Sequence, residues 1–227
     1  MSHLHIPDGV LPVWMWAGGL VLALVCLMVS ARADRGASRQ SIAFRGALGG
    51  VMLAAMAVEL PLGPIEYHLS LVGPIGALVG PAAAFPLVFV VSAILAFAGH
   101  GGFTVVGLNA LVLGAGATVA RPLYRRLAGR LPAARALAVT TAVSQGLSGL
   151  LWLAVMALAL RLRAPAGGTA TAAGLPRVAV LAAFALPLWI GGVLVESAVA
   201  YGLARFLARV RPDLLPAAEP LPAGGAR

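Results

Sequence analysis

VLPVWMWAGGLVLALVCLMVSA, from Val10 to Ala31, carries no charge and is longer than the roughly 20 residues a helix needs to cross the hydrocarbon core of a bilayer. No basic residue precedes it, and it exceeds the length of a signal-peptide core, so a retained membrane helix is expected. Working outward, six more apolar runs lie between Gly, Pro and charged punctuation: Ser41–Leu60, Leu69–Gly80, Ala82–Ala98, Thr104–Leu127, Arg135–Leu160 and Leu175–Phe206. The expected fold is an all-α integral membrane protein of about seven transmembrane helices, with one domain over residues 1–211. The Pro/Ala/Gly-rich stretch 212–227 is expected to be a disordered cytoplasmic tail. The third run is short and interrupted by Gly73-Pro74 and Gly76, which predicts a broken helix covered by the rest of the protein.

Composition narrows the function. Of 227 residues 61% are hydrophobic and 10% charged, leaving no stretch that could form a soluble catalytic domain. All 16 basic residues are Arg, so a phosphate-binding loop that needs Lys is ruled out, and with it self-powered ATP hydrolysis by that route. The net charge of +9 reports topology here rather than nucleic-acid binding. The lone Cys26 excludes an internal disulfide and a thiolate metal cluster.

Arginine placement orients the segments. Arg32, Arg35, Arg39 and Arg45 follow segment one, Arg121, Arg125, Arg126, Arg130 and Arg135 follow segment five, and Arg205, Arg209 and Arg211 end segment seven. Seven crossings with the amino terminus outside put all three clusters in the cytoplasm, leaving Arg161, Arg163 and Arg177 outside. His3, His5, His68 and His100, all the histidines of the chain, then share the outer side. Arg161 to Pro176, with Gly167-Gly168, reads as a flexible outer connection.

Imidazoles on one membrane face suggest metal handling. A terminal amine, the next amide and an imidazole chelate a metal in one plane, a geometry suited to Ni(II) and Cu(II), with Co(II) also compatible. Removal of Met1 ahead of the small Ser2 would make His3 the second residue. His68 ends Gly63-Pro64-Ile65-Glu66-Tyr67-His68, where it is either a ligand oriented by Glu66 or Tyr67, or an interfacial histidine bonded to backbone. His100 opens His100-Gly101-Gly102-Phe103-Thr104, and Asn109 follows in the next segment, either near the metal or bonding across helices. Glu59 reads as interfacial, whereas Glu196, deep in segment seven, reads as a bond to another helix or a partner subunit. Gly46/Gly50 and Gly76/Gly80 have the small-xxx-small spacing of helix packing. Gly146-Leu147-Ser148-Gly149 fits the pattern of rhomboid-like serine proteases, which makes an intramembrane hydrolase using Ser148 the enzyme alternative. Those enzymes take a histidine from a later helix, and none follows His100. A non-transporting membrane metal sensor is the third reading.

His5-Ile6-Pro7-Asp8-Gly9, the loop ending in His68, and His100-Gly101-Gly102-Phe103-Thr104 through Gly107-Leu108-Asn109 resemble, in order and spacing, the substrate-binding membrane subunits of cobalt/nickel energy-coupling-factor ABC transporters, the CbiM/NikM type. The resemblance implies a seven-helix bundle with an extra first helix that threads the amino terminus into a pocket. It implies Ni²⁺ or Co²⁺ as transported substrate with no tightly bound cofactor, and a location in the inner (plasma) membrane. It also implies partners: a transmembrane coupling subunit, two ATPase subunits and, in some assemblies, a small accessory membrane subunit. In the family the terminal amine, the following amide, the second residue's imidazole and a loop histidine hold the metal; the last corresponds to His68, and the family's terminal histidine to His5. Met1-Ser2-His3-Leu4 extends this chain past the usual start, which leaves two ligand sets open. Either His5 acts through its side chain, joined by His3, or Ser2-His3 rebuilds the chelate with His5 or His68 completing it. Asp8, Glu66, Tyr67, His100 and Asn109 are the candidates for groups that orient those ligands.

Overall fold

The computed structural model describes residues 6, 8–35, 38–58, 60–62, 65–162 and 170–219. Among them seven α-helices follow in order: α1 (Val13–Ala33), α2 (Arg39–Ala57), α3 (Val72–Val79), α4 (Pro81–Phe97), α5 (Val106–Ala128), α6 (Ala133–Leu162) and α7 (Ala170–Val210). Two three-residue strands, β1 (Leu60–Leu62) and β2 (Ile65–Tyr67), form an antiparallel hairpin between α2 and α3, with Leu60 opposite Tyr67. The hairpin takes up the end assigned from sequence to segment two.

The bundle is apolar outward and polar inward. α1 exposes Val21, Leu22, Val25 and Val29, and α7 exposes Phe184, Ile190 and Leu194, while Ser70, Asn109, Gln145 and Glu196 are buried. That is the distribution expected where lipid, not water, surrounds the helices. α1, α5, α6 and Ala179–Val210 are each long and apolar enough to cross a bilayer; Ser41–Ala57 and Pro81–Phe97 are shorter apolar helices.

α3 departs from a full crossing. Its eight residues rise about 12 Å, less than half of a ~30 Å hydrocarbon core, and every one of them is buried. Glycines let it sink so far: a Cβ on Gly76 would lie 2.2 Å from the Ala117 carbonyl oxygen of α5, and one on Gly73 2.6 Å from Thr141 Cα of α6. Gly80, at φ +83°, ends α3 and starts α4, whose first residue is Pro81. The expected broken third segment is thus a half-helix enclosed by α4, α5 and α6.

The two ends of the bundle differ in chemistry. At one, Ile6, Leu11, Met15, Val105 and Ala159 form a buried cluster with Trp152, Val155 and Met156 packed on it. At the other, Arg45 of α2 pairs with Asp34 beyond α1, and Tyr124, Leu137, Ala200 and Ala204 close the core. The stretch expected to be a disordered tail is ordered in its first half. Pro212–Leu214 makes a 3-10 turn, the Glu219 amide donates to the Arg125 carbonyl at 3.0 Å, and Arg125 Nε donates to the Ala217 carbonyl at 3.2 Å. Leu215, packed on the core, supplies the apolar contact that the Pro/Ala/Gly composition obscured. Residues 220–227 lie outside the described residues. The connection expected at Arg161 to Pro176 is partly helical, since α7 begins at Ala170.

Candidate metal centre

Ile6 is fully buried and its backbone is held on both sides. Its N–H donates to Asn109 Oδ1 at 2.8 Å, and its carbonyl accepts from Asn109 Nδ2 at 3.2 Å and from the Gly102 N–H at 3.1 Å. Two residues on, the Asp8 carboxylate accepts from the backbone N–H of Phe103 at 2.8 Å and of Thr104 at 2.9 Å, and from the Thr104 hydroxyl. The Thr104 hydroxyl above all holds the Asp8 carboxyl below the usual carboxylate range; burial opposes it, and the N–H groups of Phe103, Thr104 and Val105 reinforce it.

The glycines of that loop have steric work. A Cβ on Gly102 would sit 2.6 Å from the Asp8 amide nitrogen, and one on Gly107 would sit 2.5 Å from Leu20 Cα of α1. Gly102, Thr104, Gly107 and Asn109 therefore form a socket for the amino-terminal segment, joining two of the three motif pieces over about a hundred residues of sequence. His100 stands in the turn after α4, its N–H bonded to the Leu95 carbonyl at 2.8 Å. Asn109 bonds the terminal segment's backbone rather than another helix's side chain, and Asp8 bonds the socket.

His68 is 7% exposed and lies directly after β2. The adjoining backbone is tied down by Glu196 of α7, whose carboxyl oxygens accept from the N–H of Ser70 at 2.7 Å, the N–H of Leu71 at 3.1 Å and the Ser70 hydroxyl at 3.2 Å. Gln145 of α6 donates to the Ser70 hydroxyl. Sequence reasoning gave Glu196 a helix-to-helix bond but missed Ser70 and Gln145, ordinary polar residues whose only signal is a partner far along the chain.

α6 relates the two halves of the site. Gln145, bonded beside His68, and Trp152, in the Ile6 cluster, are seven residues apart, which is almost two full turns. They share one face of α6, about 10 Å apart along its axis. Ser2, His3 and His5 lie outside the described residues, as do Glu59 and the side chains of Glu66 and Tyr67. Among the described residues no three of His, Cys, Asp and Glu converge as a metal site. Ser148 is fully buried against α5, where a Cβ on Gly116 would lie 2.5 Å from its hydroxyl oxygen.

The family model for CbiM, described as the cobalt uptake substrate-specific transmembrane region, matches residues 5–214. The cobalt transport protein CbiM of Geobacter sulfurreducens is 30% identical over 234 residues, covering 98% of this chain. The chain spans 64% of the length of that relative. A crystal structure of a transition metal transporter superposes with a TM-score of 0.76 at 19% identity, covering 91% of this chain and 93% of the other. A truncated transition metal transporter gives 0.76 at 18% identity, covering 90% and 98%. At these identities the structures establish a shared fold.

Proposed function

The chain belongs to the CbiM family, the cobalt uptake substrate-specific transmembrane region, and from that premise we propose that it captures Ni²⁺ or Co²⁺ at the outer membrane face for import. One observation carries the reading: the segment bearing the amino-terminal histidines is fastened at Ile6 by Asn109 of α5, in an apolar cluster that includes α6, the helix whose Gln145 holds the His68 loop. His3, three residues before Ile6, can stand up to about 10 Å from it, and the imidazoles of His3, His5 and His68 add to the reach across the ~10 Å between the two levels. Ser2, His3 and His5 can then meet His68 in either ligand set, as terminal chelate or as side chains alone. Asn109 and Asp8 keep the segment in register, His100 is a proposed orienting group beside them, and Glu66 and Tyr67 are the proposed orienting groups for His68.

Without an ATP site of its own, the subunit works with a transmembrane coupling protein and two ATPase subunits, and an accessory membrane subunit in some assemblies. The arginine end faces the cytoplasm of the inner membrane, and the terminus faces out. Alternating access then follows from partner-driven movement of this subunit.

The test joins metal content and amino-terminal mass of the purified protein with metal uptake in cells. His68→Ala is expected to abolish tight binding, His100→Ala to weaken it less, and uptake to require the ATPase subunits. Equal, mild losses for both variants mean that the pocket is elsewhere; binding without ATPase-dependent uptake would identify a sensor.

A further inference from the structure

We propose that Glu196 is the positioning residue for His68, so that metal ligation by His68 depends on where α7 stands. The inference rests on the reading of His68 as a ligand and concerns what holds it there. Glu196 is 2% exposed, and its hydrogen bonds to backbone all go to two consecutive residues, Ser70 and Leu71. A single residue, Leu69, separates that fastened backbone from His68.

Gln145 also reaches the Ser70 hydroxyl from α6, but the N–H groups of Ser70 and Leu71 are taken by Glu196. α3 begins at Val72 without a side-chain cap on its N-cap residue, Leu71, which stands at φ +53°, the one non-glycine with positive φ among the described residues. A bulky side chain adopts that conformation only where its surroundings enforce it. Removing the carboxyl group would leave two N–H donors without it, that of Ser70 buried and that of Leu71 part-buried, and one relief is for the chain from His68 to Leu71 to swing away. Ser70 completes the arrangement, its hydroxyl donating to Glu196 while accepting from the Val72 N–H at 3.3 Å and from Gln145.

The lever runs the other way as well. α7 continues for 14 residues beyond Glu196, about 21 Å, to the arginine end with Arg205 and Arg209. A displacement of α7 relative to α3 carries Ser70 and Leu71, and therefore His68, away from the amino-terminal donors. Linkage makes this reciprocal: a metal that needs His68 in place favours the α7 position that places it.

The experiment titrates the full purified chain with Ni²⁺ or Co²⁺ alone and records the spectrum of the bound ion. Loss of an outer partner of a ligand typically weakens metal binding about 10–100-fold, and a loss at least that large, toward the level of His68→Ala, is expected for Glu196→Ala. Its bound-metal spectrum should match that of His68→Ala, because the imidazole is displaced in both. Glu196→Gln keeps one acceptor and should give a smaller loss with the native spectrum. If Glu196→Ala does not fold, Glu196→Gln and Ser70→Ala carry the test through lowered affinity at an unchanged melting temperature of the metal-free protein. Native affinity and spectrum in the Glu196 variants, beside a failed His68→Ala, overturn the proposal alone. So does a fall in affinity with a native spectrum in Glu196→Ala, which marks general loosening. A His68→Ala variant that binds like the native protein overturns the functional reading and this inference together.

Discussion

Asn109 uses both halves of its amide on a single residue, accepting from the Ile6 N–H and donating to its carbonyl. Asn109→Ala strands the buried Ile6 N–H and leaves its carbonyl to the Gly102 N–H, a loss of about 1–3 kcal/mol, and should lower metal affinity without touching a histidine. Asn109→Asp sets a carboxylate oxygen against the Ile6 carbonyl oxygen in a buried position and should recover none of the loss in a thermal melt at neutral pH. Asp8 acts on the neighbouring turn as a cap supplied from another segment, and Asp8→Asn should cost about 1 kcal/mol at neutral pH. Because the folded protein holds the Asp8 carboxyl low, its contribution is complete above the ordinary carboxylate range and fades as pH falls through the lower folded value. Melting curves of the two proteins should therefore converge on acidification; a gap that persists in strong acid would show that Asp8 works through shape alone. The motif pieces were legible as pieces, since histidine, glycine and asparagine stand out in an apolar chain. That Thr104 and Gly102 serve Asp8 was not, because nothing local distinguishes a hydroxyl that caps a distant carboxylate from one that faces solvent.

Among the elements, α3 depends most on small side chains. Gly76→Ala forces a methyl group into the α5 backbone at Ala117, and a cost of about 1–3 kcal/mol is expected from overpacking. Gly46→Ala meets nothing within 4 Å and should be neutral or slightly stabilising in the same detergent melt. Equal effects would mean that α3 does not pack on α5 as closely as the structure has it. From sequence the two glycine pairs looked alike, because spacing reports opportunity for close packing and not its use. The cores of the long helices were readable from apolar length, and breaks such as Gly80-Pro81 located the boundary between α3 and α4. The hairpin at Leu60–Leu62 and Ile65–Tyr67 was not readable, since three-residue strands are too short to show a period. The ends of α7 were also missed, because its first turns carry the Gly, Thr and Pro residues of a loop.

For the whole molecule, the bonds from Ser70 and Leu71 to Glu196 span 126 and 125 positions of sequence. Membrane proteins are made from the amino terminus onward, and at 5–20 residues per second the ribosome needs roughly 6–25 s to travel that far. During this interval α3 has been synthesised but Glu196, which holds the backbone just before it, has not, and eight residues are too few to lodge across a bilayer unaided. A chain stopped after Leu162 should therefore insert its long helices while leaving the His68 loop open. With Cys26 replaced by Ser, a His68→Cys probe should react with a water-soluble thiol reagent in the truncated chain and resist it in the full one. Equal protection in both would mean that α4 to α6 close the loop by themselves. On the proposed reading of His68, the order of synthesis thus gives α7 a role as final inspector: the His68 loop is fastened only once translation has passed Glu196.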